Sequence, residues 1–278
     1  VIQDFFGGTD QPRLSIRGSG IQSNPVNRGV LLLQDGLPLN EADGSFIIGF
    51  LEPRNAALVS ARRGANALTP GATTLGGELD FVSLTGAQER GRVRAETGSY
   101  GRQALQAAVG GVGERFDSRI SASSDRFDGY RHHSASSRDS VQANLGFQGD
   151  GSFENRTYLS WTDLSFQIPS VVPKDRIASN PRGVMGDGAT AQDQLLNVYK
   201  RDPRRAADQL RLANRSRWGS DALRQELGVY WQDTDDLFND QTNYTVTHSR
   251  TVGAQWQASG RPAGEQGAWG WRTGVSWA

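Results

Sequence analysis

Two short stretches carry groups suited to holding a polar solute. GIQSN at residues 20–24 offers Gln22 and Asn24, and NEADGSF at 40–46 offers Asn40, Glu41, Asp43, Ser45 and Phe46. Hydrogen-bonding groups beside an aromatic ring are what a polar ligand site needs, although ordinary turn chemistry explains the same residues one at a time. A third stretch, 168–207, has seven basic residues against four acidic ones, a net +3. Within it Arg176, Arg182, Arg201, Arg204 and Arg205 supply forked donors that attract anions, and a solvated loop of mixed charge accounts for them equally well. Asp233, Asp235, Asp236 and Asp240 crowd a further loop, but their spacing matches no EF-hand, and no metal site is assigned. The chain contains no HExxH, no G-x-S-x-G and no phosphate loop. Having no Cys, it also has no thiol chemistry, disulfide or cysteine metal site. The chemistry on offer is binding; no catalytic residue and no cofactor are expected.

The 30 basic and 30 acidic side chains leave a formal charge of +0, so nothing global points to nucleic acid or to an anionic membrane surface. Mean hydropathy is -0.56, and no apolar run reaches the ~18 residues of a spanning helix. A membrane barrel stays open, because its lumen and loops are polar and only alternate strand residues are apolar. Glycine, 34 of 278 residues, fits many tight connections. The opening VIQDFFGGTD has neither a start Met nor a signal-peptide pattern, and GVSWA stops within a strand pattern. The expectation is an internal piece of a longer chain.

The stretch 59–84, VSARRGANALTPGATTLGGELDFVSL, divides the sequence. It reads as a strand at 59–62, a crossover punctuated by Gly64, Gly71, Gly76 and Gly77, and a strand at 78–84. Before it, LSIRG (14–18) is a short strand. GVLLLQDGLPLN (29–40) is a buried strand followed by an Asp35-Gly36 turn, and 51–57 is a short helix, together forming a small mixed sheet with long loops.

After residue 90 the period becomes two. Phe116, Ser118, Ile120 and Ala122 alternate with Asp117, Arg119 and Ser121; Leu227, Val229 and Trp231 alternate with Glu226 and Tyr230. The predicted strands are 91–98, 102–110, 115–124, 139–148, 153–163, 208–216, 223–234, 249–258 and 268–278. Such antiparallel strands have one apolar and one polar face. They suit a soluble sandwich with the apolar face inward or a membrane barrel with it outward. Alternating tight and long connections favour the barrel. So do Phe153 and Trp161, eight residues apart on the apolar face, roughly 20 Å in projection along a tilted strand. Arg119, Arg156, Arg224 and Arg272 all fall on the polar face.

Taken in order, these motifs resemble those of the TonB-dependent outer-membrane receptors. Ile16-Arg17-Gly18 matches the family's I-R-G, and Asp35-Gly36-Leu37-Pro38 matches its D-G-x-P turn. Val59, Arg63 and Gly64 match its V-E-V-x-R-G-P segment, with Ser60 in place of Glu and Ala65 in place of Pro. Gly71, Gly76 and Gly77 follow, with ELDF standing where G-x-I-N is usual, and GSYG at 98–101 looks like the first hairpin. The resemblance implies a plug domain (α+β, small mixed sheet) over 1–88 and antiparallel transmembrane β-barrel strands over 89–278, about nine of an expected 22.

The function it implies is active transport of a ferric siderophore or similar chelate across the outer membrane of a Gram-negative bacterium. Energy would come through TonB, by way of a TonB box outside this sequence, and the barrel would be embedded in outer-membrane lipid. Gln22, Asn24, Asn40, Glu41, Asp43, Ser45 and Phe46 would then lie on plug apical loops facing the ligand. Arg17 and Arg63 would lock the plug to barrel glutamates, since a buried Arg needs paired carboxylates. Cobalamin, an oligosaccharide or another metal complex is the rival cargo. A passive porin and a soluble sugar-active enzyme are the rival classes; a porin lacks the plug-like unit, and an enzyme needs convergent carboxylates.

Overall fold

The computed structural model describes residues 2–3, 13–16, 28–64, 76–220, 222–260 and 271–278. In its N-terminal part β1 (Ile2–Gln3) pairs with β2 (Arg13–Leu14). Among the described residues of the expected strand at 14–18 only Leu14 is in a strand, and Arg17 and Gly18 lie outside the described residues. β3 (Leu31–Gln34) turns through Asp35 and Gly36 into β4 (Leu37–Pro38). Both turn residues have positive φ, 57° and 78°, the geometry that Asp-Gly supplies to a two-residue hairpin.

β5 (Ala56–Arg63) and β6 (Gly77–Ser83) complete a four-stranded sheet in the order β4-β3-β6-β5. β5 and β6 are antiparallel neighbours. The expected crossover between them is therefore the link of an antiparallel pair, and the true crossover runs from β3 to its parallel partner β6. The expected helix at 51–57 is also corrected. Single 3-10 turns occupy Ile48–Phe50 and Pro53–Asn55, and Ala56 already opens β5. Seven residues are too few to sustain a helix unless packing supplies the stability. Leu14, Val30, Leu32, Leu39, Phe46 and Leu51 form the core of this unit, with Leu79 and Phe81 against them.

The second part is one antiparallel meander. Its strands are β7 (Gly91–Gly98), β8 (Arg102–Val112), β9 (Phe116–Phe127), β10 (Ser136–Gln148) and β11 (Glu154–Gln167), followed by β12 (Arg204–Gly219), β13 (Arg224–Asn239), β14 (Tyr244–Gly260) and β15 (Trp271–Trp277). Each pairs with its sequence neighbours. Connections at 113–115, 149–153 and 220–223 are tight; at the opposite end those at 128–135 and 168–203 are long but those at 99–101 and 240–243 are short, so the expected alternation of tight and long connections holds only in part. One loop is corrected. Asp233, Asp235 and Asp236 belong to β13, and only residues 240–243 join it to β14. β13 and β14 have 16 and 17 residues, longer than the ~9–11 that a bilayer-crossing strand needs.

Burial decides which face points inward. Val109, Ile120, Ala143, Leu159, Leu212, Trp231 and Val252 stand opposite one another on seven successive strands. Ile120 is 50% and Val252 48% exposed, while Arg119 is 3% and Gln232 0% exposed. The apolar side chains are outside and the polar ones are covered, the inverse of a soluble sandwich. That arrangement is favourable where hydrocarbon covers the outer face.

Phe116, Phe147 and Phe153 cluster near the tight turns, with ring centroids 4.9 and 6.3 Å apart. Toward the other end the apolar band closes just past Trp161. There Asp139, Asp163, Asp208, Asp235 and His248 occupy one outward rung.

Candidate functional site

The small unit sits on the polar face of the meander, and three nodes hold it there. The first is the β3–β4 hairpin. Leu37 is fully buried against Ala213 and Tyr230. It enters a notch that exists because residue 228 is glycine: a Cβ there would meet Leu37 Cδ2 at 2.3 Å. Around it the wall donates to the hairpin backbone, Arg215 Nη1 to the Asp35 carbonyl at 2.9 Å and Gln255 Nε2 to the Gly36 carbonyl at 2.8 Å. Glu226 holds the Arg215 fork through two bonds of 2.7 and 2.8 Å. The Asp35 carboxylate accepts from the Ser83 amide at 2.9 Å and the Ser83 hydroxyl at 2.6 Å. Burial outweighs these bonds and lifts its pKa to about 6.

The second node is the 3-10 turn at residues 52–55. Glu52 accepts from Arg54 Nε at 2.8 Å and Nη2 at 2.7 Å, from Arg138 Nη1 at 3.1 Å and from Ser123 Oγ at 3.0 Å. Burial pushes its pKa up, but the Arg54 hydrogen bonds and the Arg138 charge overcome this and bring it down to about 2. Asn55 donates to Ser121 Oγ at 2.7 Å and Gln142 Oε1 at 3.1 Å, and accepts from Gln106 at 3.0 Å and Arg119 at 3.2 Å. Arg119 in turn reaches Glu89 at 2.6 Å. The connector beyond β6 is pressed against the wall at Gly86, where a Cβ would lie 2.2 Å from the Ser118 carbonyl oxygen and 2.5 Å from that of Gly111.

The third node is the turn at residues 40–46. Asn40 is buried and structural: its side chain accepts from the Leu32 amide and donates to the Val30 and Gly44 carbonyls. Phe46, 2% exposed, packs in the core of the small unit. Asp43 is exposed, pairs with Arg28 and caps the Ser45 amide. Glu41 instead points at the wall and accepts from Gln232, Thr234, Ser249 and Thr251. Gln22, Asn24 and Arg17 lie outside the described residues. Arg63 is exposed at the end of β5, and it is the neighbouring Arg62 that pairs with Glu78, at 3.1 Å.

The five arginines of the 168–207 stretch are engaged within the protein, and Arg204 and Arg205, expected in the loop, instead open β12. Arg176 binds Asp193 at 2.7 Å, inside a short helix cap formed with Thr190. Arg182 donates to the Tyr130 carbonyl at 2.7 Å and lies 5.8 Å over its ring. Arg201 donates to the Leu195 and Gln241 carbonyls, and Arg204 pairs with Asp202. Arg205 makes a fork with Asp236 at 2.8 and 2.6 Å. The four aspartates also separate. Asp236 faces Arg205 and Asp240 caps the 240–243 turn. Asp233 and Asp235 lie within 4.8 Å of His248 on the outer face, where Arg250 answers Asp233 and His248 hydrogen-bonds Asp235.

No family model matches the chain. Its structure is similar to the ferric yersiniabactin uptake receptor FyuA from Yersinia pestis, at 15% identity and a TM-score of 0.67 over 93% of this chain and 40% of that one. It is also similar to the siderophore receptor PiuA from Acinetobacter baumannii, at 12% identity and a TM-score of 0.67 over 94% and 38%. The copper transporter OprC gives 14% identity and a TM-score of 0.54 over 95% and 48%. The fold is that of the TonB-dependent receptors.

In this receptor fold the small unit is the plug and the meander is barrel wall, so the three nodes are plug–barrel contacts. The chain spans 35% and 38% of the ferric citrate transporter FecA and of PiuA. Wall residues central to the contacts, Arg138, Arg215 and Gln232, carry a sequence signal only as polar positions within alternating strands. Glu52 and Asn55 carry none beyond turn chemistry.

Proposed function

We propose that this chain is the plug and adjoining wall of a TonB-dependent transporter that carries a ferric siderophore or similar chelate across the outer membrane of a Gram-negative bacterium. The observation that carries this reading is the inside-out sheet with a separate folded unit hydrogen-bonded to its polar face. A passive pore has no use for such an obstruction, whereas a gated importer requires one. We place the boundary between residues 88 and 89, within the connector that leaves β6 at Ser83 and enters β7 at Gly91. TonB is the partner that would supply energy. Ligand would approach from the end bearing the 168–203 loop, where Asp43 and Ser45 of the apical turn, with Gln22 and Asn24, are the candidate contacts. Arg17 and Arg63 remain the candidate plug lock.

The test is made on the full-length gene product in outer membranes from cells grown with and without iron, using ferric hydroxamate, catecholate and citrate chelates. Tight binding of one chelate together with induction under iron starvation supports the reading. Absence of both moves the cargo to cobalamin, a sugar or another metal complex.

A further inference from the structure

Glu41 differs from the other plug attachments in the chemistry of its partners. Its Oε1 accepts from Gln232 Nε2 and Thr234 Oγ1 of β13, both at 3.2 Å. Its Oε2 accepts from Ser249 Oγ at 2.5 Å and Thr251 Oγ1 at 2.9 Å on β14. All four donors are neutral. The turn that presents Glu41 is closed on itself: the Glu41 amide donates to the Ser45 carbonyl at 2.8 Å and the Gly44 amide to the Glu41 carbonyl at 2.9 Å. Asn40 and Phe46 tie the turn to the plug core. The turn therefore moves with the plug, and the carboxylate bridges it to the wall.

The two kinds of attachment break at different cost. Separating Glu52 from Arg138 leaves a buried guanidinium without its counter-charge, which is expensive. Separating Glu41 from its cradle leaves three hydroxyls and an amide, which can turn toward one another or toward water, and a carboxylate that water solvates well; the nearest buried cation, Arg211, is not a direct partner of Glu41 and keeps its 2.6 Å bond to Gln232 Oε1. A neutral cradle is thus suited to repeated opening.

We propose that Glu41 is the reversible latch of the plug, and that its contact with β13 and β14 must open for cargo to pass. This rests on the transport reading above. These 278 residues contain no Cys, so in a full-length protein whose cysteines elsewhere, if any, are replaced by Ser, a double variant, Glu41→Cys with Thr251→Cys, can be joined by a short, reducible bis-thiol linker.

The latch predicts that the linked protein binds a radio-iron chelate from the panel within about twofold of the unlinked double variant. Energised uptake should fall at least tenfold and return when the linker is cleaved. Equal uptake by linked and unlinked protein would overturn the proposal, provided the unlinked form transports. If no form takes up any chelate, the transport reading fails separately, and hydrogen exchange still decides the latch. Glu41→Ala should raise amide exchange of Gly44 and Ser45 at least tenfold while leaving exchange at Asn55 unchanged. Unchanged exchange at Gly44 and Ser45 would rule the latch out.

Discussion

Glu52 of the plug and Arg138 of β10 form a buried ion pair of 3.1 Å, with side chains 1% and 7% exposed, that joins a plug turn to the barrel wall. Arg54 binds the same carboxylate from the plug side, so one Glu answers an Arg from each domain. Replacing Glu52 by Gln keeps the volume and removes the charge. The predicted cost is about 3–5 kcal/mol, the range for orphaning one partner of a buried pair. The double change Glu52→Gln with Arg138→Met should recover most of it. Denaturant unfolding of the four proteins of that cycle checks both values.

Asn55 is the polar centre of the same node. Asn55→Ala strands Gln106 and Gln142, whose side chains are buried, while Arg119 keeps its Glu89 partner, and each unmet buried group costs about 1–3 kcal/mol. The predicted loss is at least that of one such group, read from the unfolding midpoint. Limited proteolysis at the 84–90 connector should accelerate in parallel.

The fold was far more legible in the sequence than the site. Period-two alternation places all nine wall strands, because the covered and the outward face of the sheet impose opposite chemistry on neighbouring residues such as Arg119, 3% exposed, and Ile120, 50% exposed. Asp35-Gly36 announced its own turn. What stayed hidden depends on distant partners. Phe46 reads as an exposed aromatic until the core around Leu32 and Leu51 is built. Glu41 reads as a loop carboxylate until β13 and β14 arrive beside it, some 190 residues later in the chain. The far ends of the strands are not legible either, since there both faces become polar and the alternation fades, as at Asp233–Asp236.

Two plug carboxylates should give pH dependences of opposite sign. Glu52 has a depressed pKa, so its contribution is fully present above its ordinary value of 4.5 and is lost as pH falls toward about 2. Asp35 has a raised pKa. Its burial costs stability only when it ionises, so stability should fall as pH rises from 3.8 to about 6 and stay level above that. The drop is about 3 kcal/mol at ~1.4 kcal/mol per unit. Asp35→Asn, which tolerates the positive φ of this turn, should flatten most of the slope between pH 4 and 6 in chemical denaturation, leaving the smaller part due to Asp80, whose carboxyl burial also holds above its ordinary value.

On the outer rung, Asp163 and Asp208 stand directly opposite each other, flanked by Asp139 and Asp235. Opposed like charges on neighbouring strands destabilise a sheet by about 0.2–1 kcal/mol per pair. Asp208→Asn is therefore predicted to stabilise the barrel by that order at low ionic strength, with the gain shrinking as salt is added. Thermal unfolding across a salt series measures it.

Whether the alternating strands are inside out is read by a site-directed spin-label scan along β9 and β11 of the full-length protein in lipid vesicles. Labels at Ile120, Ala122, Leu159 and Trp161 should collide freely with dissolved oxygen and little with a water-soluble nickel complex, while labels at Arg119, Ser121, Ser160 and Thr162 should be shielded from oxygen by the plug. The reverse pattern, with the apolar positions shielded and the polar ones reached by the aqueous reagent, would contradict the membrane barrel and with it the transport reading.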